Sequence, residues 1–145
     1  MVIPVRDTLN ITGKTITTDA LLTQRTLAEY LLAHDAHYVF TVKDNQPTLL
    51  ADIRLIFEGR AQPDCREPLT LAHGRIEQRA IWTTTRLNDY LNFPGVGQAF
   101  VIEREVIAKT TGKRSTETVY GLTDHTPDRA DAAAVLAYNR GHWTV

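Results

Sequence analysis

Cysteine is almost missing from this chain of 145 residues: Cys65 stands alone. One thiol excludes an internal disulfide and excludes a zinc site made of cysteines. It fits a reducing compartment, and the cytoplasm is the expected location. No apolar run approaches the ~20 residues that span a bilayer. No charged start leads into an apolar stretch and a cleavage site, so neither a membrane partner nor a secretory leader is expected. A basic excess is missing too, since the formal net charge is -1. Dedicated nucleic-acid binders usually carry such an excess, so any contact with DNA has to run through a local patch. Internal repeats and low-complexity segments are also absent. What remains is an ordinary apolar and charged content and a length sufficient for one domain, 1–145, with a real core.

The front of the chain reads as strand–helix–strand. Thr15-Ile16-Thr17-Thr18 is a short strand that stops at Asp19. Leu21 to Ala36 carries apolar pairs at Leu27/Ala28 and Leu31/Leu32, the spacing of a helix with one buried stripe. His37 to Val42 is a buried strand that stops at Lys43-Asp44-Asn45-Gln46. If the two strands are parallel, both polar ends lie at one sheet edge, where ligands of such sheets bind. Pro47 suits the first turn of a second helix. Leu49, Leu50, Ile53, Ile56 and Phe57 give that helix the cleanest amphipathic pattern in the chain. Residues 1–58 thus read as a βαβα core.

From Leu69 the period changes to two. Arg75, Glu77 and Arg79 alternate with Ile76, Gln78 and Ala80, and a hairpin joins 100–107 to 115–122 around Gly112. Residues 69–122 are expected to form a small antiparallel sheet. Pro127 is expected to open a last helix through Ala137. The chain then runs Tyr138-Asn139-Arg140-Gly141-His142-Trp143-Thr144-Val145, which reads as a cut inside an element.

Four motifs in order carry a resemblance. They are the strand ending at Asp19, Val42-Lys43-x-Asn45-Gln46, His73-Gly74-Arg75-Ile76-Glu77-x-Arg79, and Arg140-Gly141-His142-Trp143. Together the chain resembles bacterial insertion-sequence transposases of the DDE type, in the H-repeat-associated subgroup, over essentially its whole length. The resemblance implies an α/β fold: a partial RNase H-like core with an inserted antiparallel β region before the final helical segment, 127–145. It implies cutting and joining of DNA by three carboxylates, Asp, Asp and Glu, holding two Mg2+ or Mn2+ ions. Asp19 matches the second acid and would be both catalytic residue and metal ligand. The first acid would lie upstream and the Glu just past Val145, so the chain resembles a transposase truncated at both ends. One carboxylate cannot hold two metals in place, and this polypeptide alone is expected to be inactive. Implied partners are DNA at the element ends and a second copy or an intact transposase. The alternatives are a non-catalytic module that binds DNA or dimerises with an intact transposase, and a remnant without function.

Each candidate residue has a plainer alternative. Asp19 could cap a helix and complement its dipole. Lys43, Asn45 and Gln46 are candidates for DNA contact, or a solvated turn with Asn45 capping the next helix. His73, Arg75 and Arg79 are a candidate DNA strip around Glu77, or a set of ion pairs with Glu103 and Glu105. Arg140 and His142 belong to the last motif and are further DNA-contact candidates, whereas Trp143 reads as core. Lys109, Lys113 and Arg114 read better as a solubilising turn. His34 and His37 have no metal-ligand partner pattern in the sequence.

Overall fold

The computed structural model of the protein describes residues 12–18, 24–43, 46–91 and 93–140. In chain order the described elements are β1 (Thr15–Thr18), α1 (Gln24–Ala33), β2 (His37–Val42), α2 (Pro47–Phe57), β3 (Cys65–Arg66), β4 (Thr70–Ala72), β5 (Arg75–Thr84), β6 (Gln98–Ala108), β7 (Arg114–Thr123) and α3 (Ala132–Arg140). The strands make one mixed sheet in the order β1-β2-β7-β6-β5-β3, with β4 also paired to β5. β1 and β2 are parallel, with Thr15 opposite His37 and Thr18 opposite Phe40. All other pairings are antiparallel. The α/β class read from the sequence is therefore observed, with one difference. The β-rich segment is not a separate small sheet, because β7 hydrogen-bonds along β2 from Val39 to Val42 and extends the sheet that β1 and β2 begin.

β2 is buried on both faces, which is why His37-Tyr38-Val39-Phe40-Thr41-Val42 reads as a nearly continuous apolar run. One face packs Ile16, Tyr38, Phe40, Val42, Leu122 and Val101 against Leu27, Ala28 and Leu31 of α1 and Leu50, Ile53 and Phe57 of α2. The other packs Val39, Phe100, Ile102 and Ile81 against Val135 and Leu136 of α3. Each aliphatic side chain buried this way contributes about 1.5–3 kcal/mol. Val135 and Leu136 lie on one turn of α3 and supply its fully buried contacts with the sheet.

Helix ends explain where the sequence reading overran. Ala36 N–H reaches Leu31 O at 2.8 Å and Asp35 N–H reaches Leu32 O at 3.2 Å, while Asp35 takes a left-handed φ of 57°. This is a Schellman stop with aspartate where glycine is usual, so α1 ends at Ala33. Pro127 does not open the last helix. The amides of Arg129 and Ala130 both bond Thr126 O, closing a separate turn. α3 starts afterwards, with Asp131 Oδ1 accepting from Ala134 N–H at 2.9 Å as an N-cap. α2 begins at Pro47 as expected.

The long strands β5, β6 and β7 run well past the end of β2. Val42 lies opposite Tyr120, Tyr120 opposite Val101 and Val101 opposite Trp82. Beyond that level the ribbon continues to Arg75, Ala108 and Arg114. At its tips, His73 and Gly74 both take left-handed φ, 53° and 73°, as a two-residue hairpin turn requires.

Candidate functional site

Two polar regions occupy opposite ends of the sheet. The first lies at the carboxyl end of β1 and β2. Parallel pairing brings the exits of both strands to the same edge, as the sequence anticipated. Lys43 is exposed there, and Gln46 is half-buried at the start of α2, with its carbonyl accepting Leu50 N–H at 2.9 Å. Asp19, Asn45 and His142 lie outside the described residues. Thr17, one turn of the pleat before the end of β1, carries a buried Oγ1 with no hydrogen-bond partner.

Beyond this edge, on the face that α3 covers, the ribbon carries an arginine strip. Arg79 lies directly opposite Arg104, and cross-strand partners share a face. Arg104 is three residues past Val101, about 10 Å beyond the end of β2 at the usual rise. Arg104 bonds Glu77 closely. Arg140, at the end of α3, bonds Glu67 Oε2 at 3.0 Å. Burial and the guanidinium groups of Arg140 and Arg104 press the Arg79 pKa below its ordinary value, and Glu77 and Glu67 only partly offset them. Arginine keeps its charge under such a shift. Two of the three guanidiniums are paired with carboxylates, and Glu117 opposite Arg104 lowers the local field further.

The structure thus brings Arg79 and Arg140 together and adds Arg104, which the sequence reading did not single out. Arg75 is exposed on the same face near the tip, within electrostatic reach of Glu77. His73 sits in the adjoining turn, exposed. The expected pairing of this strip with Glu103 and Glu105 does not occur. Register sets those two opposite Ala80 and Gln78, on the other face, where Glu103 meets Arg60 at 2.8 Å and Glu105 meets Arg114 at 3.8 Å.

The second region lies at the amino end of β2, about 17 Å away along the strand. His37 Nδ1 and Asp124 Oδ2 are 2.7 Å apart. Asp124 Oδ1 accepts the Tyr38 N–H at 2.8 Å. Arg129 lies 3.2 Å from His37 Nε2. His125 stacks on His37 at 4.3 Å and on Tyr138 at 5.4 Å. Its Nε2 meets Thr15 Oγ1 at 2.9 Å, and its Nδ1 is buried with no partner. Burial pushes the His125 pKa down, opposed by Asp124 and helped by His37 and Arg129. Gln98, fully within the core, donates to the carbonyls of His125 and Ala130 at 3.0 and 2.8 Å and fixes the turn that presents the cluster. The sequence reading set His37 aside for want of a partner pattern. Its partner is 87 residues away, and only the β2–β7 pairing brings the two together.

Among the described residues no helix is long and apolar enough to cross a membrane. No protein-family profile matches the chain, and no solved structure matches it. A Xanthobacter autotrophicus protein described as "Uncharacterized protein in dhlA 3'region" is 31% identical over 126 residues, covering 82% of this chain and 42% of that protein. The chain therefore spans less than half the length of that relative.

Proposed function

We propose that this chain is part of the catalytic domain of a DNA transposase, with an RNase H-like core in which β1 and β2 are the late strands and β3 to β7 an insertion fused to the same sheet. The observation that carries the reading is the shared edge. The parallel exits of β1 and β2 lie at the end of the sheet from which an arginine strip projects, and Asp19 follows Thr18 in the sequence. A DNA backbone laid across that end would meet Lys43 near the strand exits and Arg79, Arg104 and Arg140 beyond them. Guanidinium groups suit such a ligand because they bind phosphate oxygens through paired hydrogen bonds.

In the resembled enzymes two divalent metals activate the attacking oxygen and stabilise the leaving one. Among the described residues, a group of three side chains able to converge on one ion is found only at His37, Asp124 and His125, at the wrong end of the sheet for this chemistry. Asp19 would be one of the Mg2+ or Mn2+ ligands, as the resemblance implies. The unpartnered Thr17 Oγ1 at the same edge is consistent with a further polar group packing there. By itself this polypeptide would bind DNA and not cut it.

The strip needs no metal to bind phosphate, which supports a second reading: a non-catalytic module that binds DNA and modulates an intact transposase. Fluorescence anisotropy with a labelled duplex at stepped salt tests both. Binding should weaken with salt, and Arg79→Ala and Arg140→Ala should each lower the slope by about 1. Asp19→Ala should leave binding intact, yet abolish any Mn2+-dependent nicking. Binding without any such nicking favours the module. No salt-dependent binding would refute both and leave a remnant.

A further inference from the structure

We propose that His37, Asp124 and His125 form a binding site for one transition-metal dication, with zinc the best match, at the end of the sheet opposite the arginine strip. The three side chains offer ligand atoms that all lie within 4.8 Å of one another. They come from the start of β2 and from the turn after β7, so the scaffold is the sheet itself. All three are shielded: the His37 and Asp124 side chains are 12% and 7% exposed, and His125 is 6% exposed.

His125 makes the strongest case. A buried ring nitrogen without a partner is costly, and Nδ1 is one. The Nε2 contact with Thr15 Oγ1, with Nε2–H donating, leaves the Nδ1 lone pair free. Metal-bound histidines are oriented in this way by a partner on the other nitrogen. Asp124 is prepared similarly, since the Tyr38 amide holds Oδ1 and Oδ2 is left for an ion. Without an ion, His37 Nδ1–H donates to that oxygen and Nε2 accepts from Arg129. To ligate through Nδ1, His37 changes tautomer: the Nδ1 proton leaves to solvent and Nε2 takes one up, so the ring stays neutral, the ion takes the place of the hydrogen bond, and exposed Arg129 moves off Nε2.

Two imidazoles and one carboxylate select the metal. Such a set suits zinc and its neighbours, whereas Mg2+ and Ca2+ prefer oxygen ligands. The ion would therefore differ from the Mg2+ or Mn2+ of strand cutting. It would clip β2 to the β7–α3 turn as a structural tie, with β1 joined through the Thr15–His125 contact, independently of the transposase reading.

Metal-stripped protein titrated with Zn2+ against a chromogenic chelator tests this, with Co2+ absorption reporting the ligand set. One equivalent should bind, and the melting temperature should rise with Zn2+ but not with Mg2+. Asp124→Asn and His125→Gln should each weaken binding by about 100-fold or more, and Thr15→Val by about 10-fold. Arg129→Gln should tighten it, since it removes a competing cation; this exposed change guards against variants that simply unfold. Absence of stoichiometric binding, or an affinity unchanged in Asp124→Asn, would overturn the site and leave the cluster a hydrogen-bonded clasp.

Discussion

Gly121 is where a single methyl group should do the most damage. It lies in β7 at the middle of the sheet, opposite Thr41 on one side and Phe100 on the other. A Cβ there would stand 2.2 Å from Phe100 Cζ and 2.4 Å from the Phe40 carbonyl oxygen. Neither neighbour can yield cheaply. Phe100 is fully buried in the α3-side core, and Phe40 O belongs to the backbone of β2. Overpacking of this kind costs about 1–3 kcal/mol, and loosening one or two ladder hydrogen bonds adds about 1 kcal/mol each. Gly121→Ala should therefore destabilise the protein by about 3 kcal/mol, read as a shift of the urea midpoint followed by tryptophan fluorescence. Gly112→Ala is the control. It meets nothing within 4 Å, but its φ of 71° limits the cost to about 1–2 kcal/mol. Phe100→Leu in the Gly121→Ala background relieves the ring contact but not the carbonyl one. The double-mutant cycle should show a favourable coupling of about 1 kcal/mol. If Gly121→Ala lies within about 0.5 kcal/mol of wild type, the tight approach of β2, β7 and Phe100 is refuted.

Other expectations are simpler to state. Gln98→Leu orphans the carbonyls of His125 and Ala130 and should cost about 1–3 kcal/mol per the usual penalty for buried unpaired groups, measured by the same denaturation. Burial alone would raise the Glu77 carboxyl, but its Arg104 hydrogen bond, with the charges of Arg104, Arg75 and Arg79, holds the pKa below the ordinary 4.5. The stabilisation is therefore present above that value and lost as pH falls through the depressed pKa; wild type should lose stability below about pH 4.5 more steeply than Glu77→Gln, and parallel acid titrations would contradict the pairing. β1 ends the described strand order, and an unpaired edge recruits other chains. Light scattering after size exclusion should show a dimer or larger species, whereas a clean monomer on dilution would mean that the edge is covered.

The βαβα start was legible because short-range rules govern it: a buried run for β2, a helical stripe for α1, Pro47 at a helix start. Alternation also gave β5, β6 and β7, and with them the common face of Arg75, Glu77 and Arg79. Register was not legible. Nothing local says that Arg79 faces Arg104 while Glu103 turns away, since a shift of one residue exchanges the two faces. The two-residue β3 and three-residue β4 carry too little pattern to stand out from a loop. The His37–Asp124–His125 cluster was invisible for the same reason, being made by strand pairing between distant segments.

Burial declines outward along β6 and β7. β6 is buried from Gln98 to Ile102 and only half-buried from Glu103 onward, and β7 runs from exposed at Arg114 to buried at Leu122. One set of strands thus has a firm root and a soft tip, and local opening takes its low free energies from thinly covered regions. Amide exchange should be slowest around Val101 and Leu122 and quicken outward. An anion held by Arg79, Arg104 and Arg140 would slow exchange chiefly in that outer half, so the tip would be ordered by what it binds while the root keeps its rate.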